Sequence, residues 1–342
     1  MTSNNRFHAA LTHTACALSL FYVFGQVALA GPVSLDVSGL IVSSTVDGAP
    51  VGAGDYTLEQ LMVSGTAVGS VTSDGLTGIP LWSLLGGNSA GSSDVVTSTP
   101  SGENSKNAIL RSYVLATSVT GVQSIISVGE IDPFFGGTGA IPPFVAYSGT
   151  DGDAALIFPG SGASGRDVTD LASLQILSAP ALVSGAGGVS TSLTLAGDVA
   201  DPGNYNLADL QALTPVSETV GGDDYTGVLL WTLLSPTVAN PLQGYVLAGG
   251  TDGYEVLYSL AELDPLFGAP DDLVPYADTL GQFPSDGLAR IVIPGDNHAG
   301  RYVSNVDSIE VASVPEPGTF FTTALVVMLF VPGNRLRRRS EF

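Results

Sequence analysis

YVLATSVTGVQSIISVGEIDPFFG (113–136) and YVLAGGTDGYEVLYSLAELDPLFG (245–268) align without a gap, and eleven of their 24 positions are identical. Similar pairs lie on either side. LTGIPLWSLL (76–85) returns 149 residues later as YTGVLLWTLL (225–234), and YTLEQL (56–61) returns as YNLADL (205–210). Downstream, FVAYS (144–148) answers LVPYA (273–277), and FPGSGASGRDV (158–168) answers IPGDNHAGRYV (293–303). One module is written twice, over 31–177 and 193–313, with the Ser/Gly/Ala-rich stretch 178–192 as the linker. The first copy carries a Ser/Gly-rich insert at 87–107, which reads as a surface loop.

The local pattern predicts short helices among many strands. Thr57 with Gln60 and Asn206 with Asp209 have the spacing in which a capping side chain and the third helical residue satisfy each other's backbone N–H groups. Ser127 with Glu130 and Ser259 with Glu262 repeat that spacing. A further helix starts at Pro80 and stops at Gly86, with Leu81, Leu84 and Leu85 on one face. Residues 253–260 alternate as a strand, and 289–295 and 306–312 read as closing strands. The fold class expected is α+β, mostly β. Trp82 and Trp231, at the same place in each copy, read as core anchors of a helix face. Glu130, Asp132, Glu262 and Asp264 fall in the repeated E-x-D-P-x-F-G phrase, where first-turn acids and a proline stop give them a structural role.

The ends of the chain have a different character. Residues 1–30 run from Arg6 through the apolar ACALSLFYVFG (15–25) to ALA (28–30), the order of a secretory signal peptide. At the other end, 314–342 contains VPEP (314–317), an apolar stretch and then Arg335, Arg337, Arg338 and Arg339. This arrangement resembles the PEP-CTERM sorting signal. The resemblance implies a Gram-negative source, export, and recognition by an exosortase-type machinery. It also implies transient anchoring in the inner membrane by a C-terminal transmembrane helix, before display at the cell surface or release outside. The partners it implies are that machinery and the cell envelope or exopolysaccharide matrix.

Between the ends, thirty acids face five bases (Lys106, Arg111, Arg166, Arg290 and Arg301), a net charge of −25. That balance excludes nucleic acid as a partner, because no basic footprint exists to displace counterions from phosphates. Calcium is the cation it would attract outside the cell, with turn oxygens in GGDD (221–224), APDD (269–272) and TDGD (150–153). The single cysteine, Cys16, lies in the signal peptide, so the mature chain has no disulfide and no thiolate ligand. His298 is the one histidine beyond residue 30. A hydrolytic Ser/His/Asp site would have to use it with Asp296, but Ala163 and Ser161 stand at the matching places in copy one.

The ordered motifs resemble the molybdopterin-binding domain of the sulfite oxidase family. They are a helix-opening aromatic phrase, the phrase around Trp82 and Trp231, the D-G-Y turn before S-L-x-E-L, and the P-G…G-R-Y-V loop. The resemblance covers 193–312 best and 35–177 more weakly. It implies a pterin cofactor, with molybdenum held by a protein cysteine upstream of the tryptophan phrase and phosphate held by a lysine after the closing loop. Here the corresponding stretches, VSGTAVGSVTSDG (63–75) and ALTPVSETVGGDD (212–224), contain hydroxyls and acids but no cysteine. Ser304-Asn305 and Thr169-Asp170 stand where the lysine phrase is expected. Both copies are therefore degenerate for that chemistry.

The function expected is an exported, surface-sorted envelope or matrix protein that uses the fold as a binding or structural module. The alternative is a molybdopterin-dependent oxidoreductase with non-cysteine ligation of the metal. If a cofactor pocket persists, it is expected in copy two, lined by Thr251, Asp252, Gly253 and Tyr254, with His298 and Arg301 from the closing loop. No catalytic residue and no metal ligand is assigned.

Overall fold

Each repeat begins and ends in the same sheet, so the chain closes on itself twice. The structure, a computed structural model, describes residues 34–87, 95, 108–136, 141–150, 152–160, 163–182, 187–268, 271–283 and 287–314. The expected signal peptide, most of the Ser/Gly-rich insert and the C-terminal sorting segment with its transmembrane helix lie outside the described residues. Among the described residues no helix is long and apolar enough to cross a membrane.

Repeat one runs through β1 (Leu35–Gly39), the hairpin β2 (Ser43–Val46) and β3 (Ala49–Gly52), β4 (Gly54–Tyr56) and helix α1 (Leu58–Val68). It continues through β5 (Val71–Ser73), β6 (Leu76–Pro80), α2 (Leu81–Leu84), β7 (Ser112–Ser118), β8 (Gln123–Ser127) and α3 (Val128–Ile131). It ends with β9 (Phe144–Ser148), β10 (Ala155–Ile157) and β11 (Leu171–Ser178). Repeat two follows the same path through β12 (Leu193–Gly197), β13 (Gly203–Tyr205), α4 (Leu207–Ala212), β14 (Val216–Val220), β15 (Asp223–Leu229) and α5 (Leu230–Leu234). It goes on through β16 (Gly244–Gly250), β17 (Glu255–Ser259), α6 (Leu260–Leu263), β18 (Leu273–Asp278), β19 (Gly281–Gln282) and β20 (Val306–Ser313).

The two five-stranded sheets have the same order, β4-β1-β11-β7-β8 and β13-β12-β20-β16-β17. In each, the first long strand pairs in parallel with the last, with Val37 opposite Leu174 and Leu195 opposite Ile309. A second sheet in each repeat is built on β5-β6-β9 and on β14-β15-β18. The molecule is mostly β, as expected, and its helices are short.

Local chemistry explains most of these elements. Thr57 and Asn206 form the reciprocal capping arrangement read from their spacing, and so does Ser259 with Glu262. The Thr-Gly of the repeated tryptophan phrase marks a bulge, because the register of β6 on β9 and of β15 on β18 shifts at Gly78 and Gly227. A Cβ at Gly78 would stand 2.2 Å from the Val145 carbonyl oxygen, and one at Gly227 2.3 Å from that of Val274. Only glycine permits that approach. Beyond it, Leu81, Leu84 and Leu85 and their counterparts Leu230, Leu233 and Leu234 are buried. Trp82 is buried with them, whereas Trp231 is half-buried at the margin of the core.

Two strand expectations need correction. Residues 289–295 do not form a strand but make single bridges, Leu273 with Val292 and Ile291 with Val303. The cause is Pro275. Arg290 N–H donates to the Pro275 carbonyl, but proline has no N–H to return the bond, so no ladder propagates. Copy one has Ala146 at that place, and there β10 forms as a full strand opposite β9. Residues 253–260 do contain a strand, β17, but it is buried along its whole length and not on alternate positions, and so is β8. One face of each strand joins the main apolar core, to which both repeats contribute, through Ile126 and through Val256 and Tyr258. The other face meets the opposite repeat. Tyr113, Leu115 and Ile125 from repeat one cluster with Leu247 and Leu257 from repeat two. Tyr113 stacks on its own counterpart Tyr245, with centroids 5.6 Å apart and planes 20° from parallel.

Candidate functional site: the paired arginine loops

The loops that the sequence singled out for an anion meet the opposite repeat. After α3 and α6 the chain makes the E-x-D-P-x-F-G turn, in which Asp132 and Asp264 each accept a backbone N–H two residues on, from Phe134 (2.8 Å) and Leu266 (2.9 Å). The arginine loops end in single 3-10 turns, Ala163–Arg166 and Ala299–Arg301. Each turn packs reciprocally on the other repeat's loop. Phe135 lies over Gly300 so closely that a Cβ there would meet its ring at 2.0 Å, and Phe267 lies over Gly165, where the distance would be 2.7 Å.

The first contact is reinforced by hydrogen bonds. Asn297 N–H donates to the Phe135 carbonyl (2.7 Å), and its side-chain amide donates to Pro133 (2.9 Å) and Gly136 (3.2 Å). His298 stacks on Phe134, with centroids 4.2 Å apart and planes 3° from parallel. Its Nδ1 lies 2.6 Å from the Phe134 carbonyl, which can only accept, so Nδ1 carries the proton.

Arg301 and Arg166 are buried, and carboxylates meet both. Arg301 grips Asp296 through two bonds of 2.9 and 2.8 Å and Glu262 through one of 2.6 Å. Arg166 forms a two-pronged pair with Glu130, and its guanidinium lies 4.1 Å from the centre of the Phe158 ring. The pairs touch across the repeats. Ser259 of repeat two donates to Glu130 of repeat one (3.3 Å), and Ser127 of repeat one hydrogen-bonds Glu262 of repeat two. A third pair crosses the interface, Arg111 with Glu255 at 3.1 Å. At the symmetry-related places stand Gln243 and Gln123, both buried.

Burial governs the titration of these groups. It pushes the Glu262 carboxyl up to about 7, against the pull of Arg301 and with the repulsion of Glu130. Asp296 is raised by burial and held back by Arg301. Asp272 is raised well above its ordinary value by burial and by Glu262. Burial disfavours charge on Arg301, but Glu262 and Asp296 overcome it and raise the guanidinium further.

The six residues expected to line a pocket fall into two groups. Gly253, at positive φ, makes the turn between β16 and β17, and Asp252 accepts from Tyr254 N–H at 3.0 Å. Tyr254 brings that turn to the closing loop by donating its hydroxyl to the Gly300 carbonyl, next to Arg301. Thr251 is committed elsewhere, its hydroxyl donating to Gly188 (2.6 Å) and its N–H to Asn305 (3.1 Å). His298 is exposed and belongs to the contact with Phe134. Asp296 spends both oxygens on Arg301, so it does not orient His298 as a triad acid would. Glu130 and Glu262, the partners of the two arginines, were read from sequence only as first-turn acids.

The donor set does not fit a molybdopterin. Hydroxyls in the stretches where the resemblance places the cysteine are hydrogen-bonded within the fold, among them Ser64 to Pro50, Ser70 to Tyr147, Ser217 to Thr226 and Thr219 to Asp224. They are hard oxygens where a soft thiolate is required. The loop arginines, the cations left beside the place of the missing phosphate lysine, are already paired with carboxylates. Among the described residues no three His, Cys, Asp or Glu side chains gather to hold a metal ion.

No protein-family model and no curated protein matches the chain. Among solved structures it is similar to the sulfane dehydrogenase SoxCD from Paracoccus pantotrophus, at 18% identity and a TM-score of 0.30. That match covers 36% of this chain and 39% of the other, so the chain spans well under two thirds of its neighbour's length.

Proposed function

We propose that this chain is an exported, surface-sorted protein of the cell envelope or extracellular matrix, in which a duplicated oxidoreductase-type fold serves as a structural or binding module without molybdenum chemistry. The observation that carries the reading is the state of Arg301 and Arg166. These arginines, the cations that survive in the loops where the family resemblance places an anionic cofactor, spend their charge on Glu262, Asp296 and Glu130, and the opposite repeat covers their loops. The acidic composition and the two terminal segments support export and sorting.

The test is to express the full chain in a Gram-negative host that makes the molybdenum cofactor and has an exosortase. Molybdenum would be counted by mass spectrometry and pterin by fluorescence after oxidation. Both are expected far below one per chain, with the protein recovered in the surface or extracellular fraction. Near-stoichiometric molybdenum with pterin would replace this reading with that of an oxidoreductase using non-cysteine ligation. Retention in the cytoplasm would overturn the sorting half.

A further inference from the structure

The carboxylates at the contact between the repeats outnumber the cations that face them. Arg301 lies between Glu262 and Asp296, and Arg166 faces Glu130. Asp272, on the approach to β18, is 5% exposed, and its Oδ1 has no hydrogen-bond partner. It feels Glu262, Asp296, Arg301 and Asp271. Tyr258, wholly buried, donates its hydroxyl to the Arg301 carbonyl, and its ring centre lies 5.6 Å from that guanidinium. From repeat one, Glu130 repels Glu262, Arg166 attracts it, and the Ser127 hydroxyl binds it. Four carboxylates (Glu130, Glu262, Asp272, Asp296) against two guanidiniums leave a net of −2 in a largely buried cluster if all are ionised. Such a cluster relaxes by holding protons, and the unpartnered oxygen of Asp272 is the natural place for one.

We propose that this cluster is a proton-operated latch between the two repeats, closed while it holds its protons and loosened when alkaline conditions remove them. The inference is independent of any ligand or cofactor. Its sign is opposite to that of ordinary acid denaturation. The carboxyls of Glu262, Asp296 and Asp272 are all raised in the folded chain. Stability from a raised carboxyl is fully present below its unfolded pKa and is lost as pH rises through the folded one. For Glu262 that window runs from 4.5 to about 7, and Asp272 is shifted in the same direction. Exposed carboxylates are ionised throughout the range from about pH 6 to 9, so they contribute no slope there. His298, the one histidine among the described residues, lies outside the cluster and serves as the control.

The experiment follows thermal unfolding and amide exchange of the whole protein from pH 6 to 9. The midpoint should fall by several degrees. Exchange in 123–127 and 255–259 should rise by up to about tenfold per pH unit beyond its base-catalysed rate. Asp272→Asn should flatten both trends, and His298→Gln should leave them intact. If Asp272→Asn does not fold, difference titration of the unaltered protein decides, since the folded chain should bind more protons than the urea-unfolded chain near pH 6. A flat midpoint, equal proton counts, an unchanged slope in Asp272→Asn, or loss of the slope in His298→Gln would each overturn the latch.

Discussion

At Arg301 one guanidinium satisfies two buried carboxylates, and removing it would leave Glu262 and Asp296 facing each other without a cation. Breaking a buried pair from one side costs about 3–5 kcal/mol, most of it the penalty of the stranded charge. Arg301→Ala should therefore lower the unfolding free energy by about that amount in urea titrations near pH 7. Arg166→Ala should cost less, because it strands only Glu130, whose side chain keeps 17% of its exposure and can be hydrated. Equal costs would show that the second acid on Arg301 adds nothing. These pairings were not legible in the sequence. Glu130 stands 36 residues before Arg166 and Glu262 39 before Arg301, so no local rule connects them. The arginines were visible, and so were the glutamates in a repeated phrase. Their partnership became readable only once the fold closed each loop onto α3 or α6.

Elements followed from sequence where their cause was local. The capping arrangements at Thr57, Asn206 and Ser259 formed as their spacing required, since each needs only a few neighbouring residues. Ser259 also reaches across to Glu130. Ser259→Ala should thus cost more than Thr57→Ala, which loses an exposed cap worth about 1 kcal/mol. Similar costs in chemical denaturation would mean that the cross-repeat bond carries no weight. Strand 289–295 failed for a reason that sits in another element, the missing N–H of Pro275 on β18. Pro275→Ala supplies that donor to the Arg290 carbonyl. Overall stability should change little, because the added bond of about 1 kcal/mol is offset by the restored freedom of the unfolded chain, about 0.4–1 kcal/mol. The new amide at position 275 should nonetheless be protected from exchange, and rapid exchange there would refute the explanation.

The repeat was the most legible feature of the whole molecule, yet the sequence did not indicate that its two copies face each other. Periodicity identifies an apolar face without naming what covers it, and 253–260 looked like an ordinary half-exposed strand. The second faces of β8 and β17 are covered by each other's repeat, around the Tyr113–Tyr245 stack and the Ile125 and Leu257 side chains. With a shared apolar cluster, the Arg111–Glu255 ion pair across the contact and two reciprocal aromatic loops, neither repeat can lose its structure without uncovering the other. The chain should then melt in one transition, with calorimetric and van't Hoff enthalpies equal over the described body. Leu257→Asp tests this at its centre. Leu257 is wholly buried against repeat one, while its neighbours Val256 and Tyr258 turn toward the main core. An acid at 257 would open the shared face and leave each repeat's part of that core intact, so the single transition should split into two at lower temperatures. A single transition that merely shifts would mean that the repeats are coupled through the arginine loops and not through the strands.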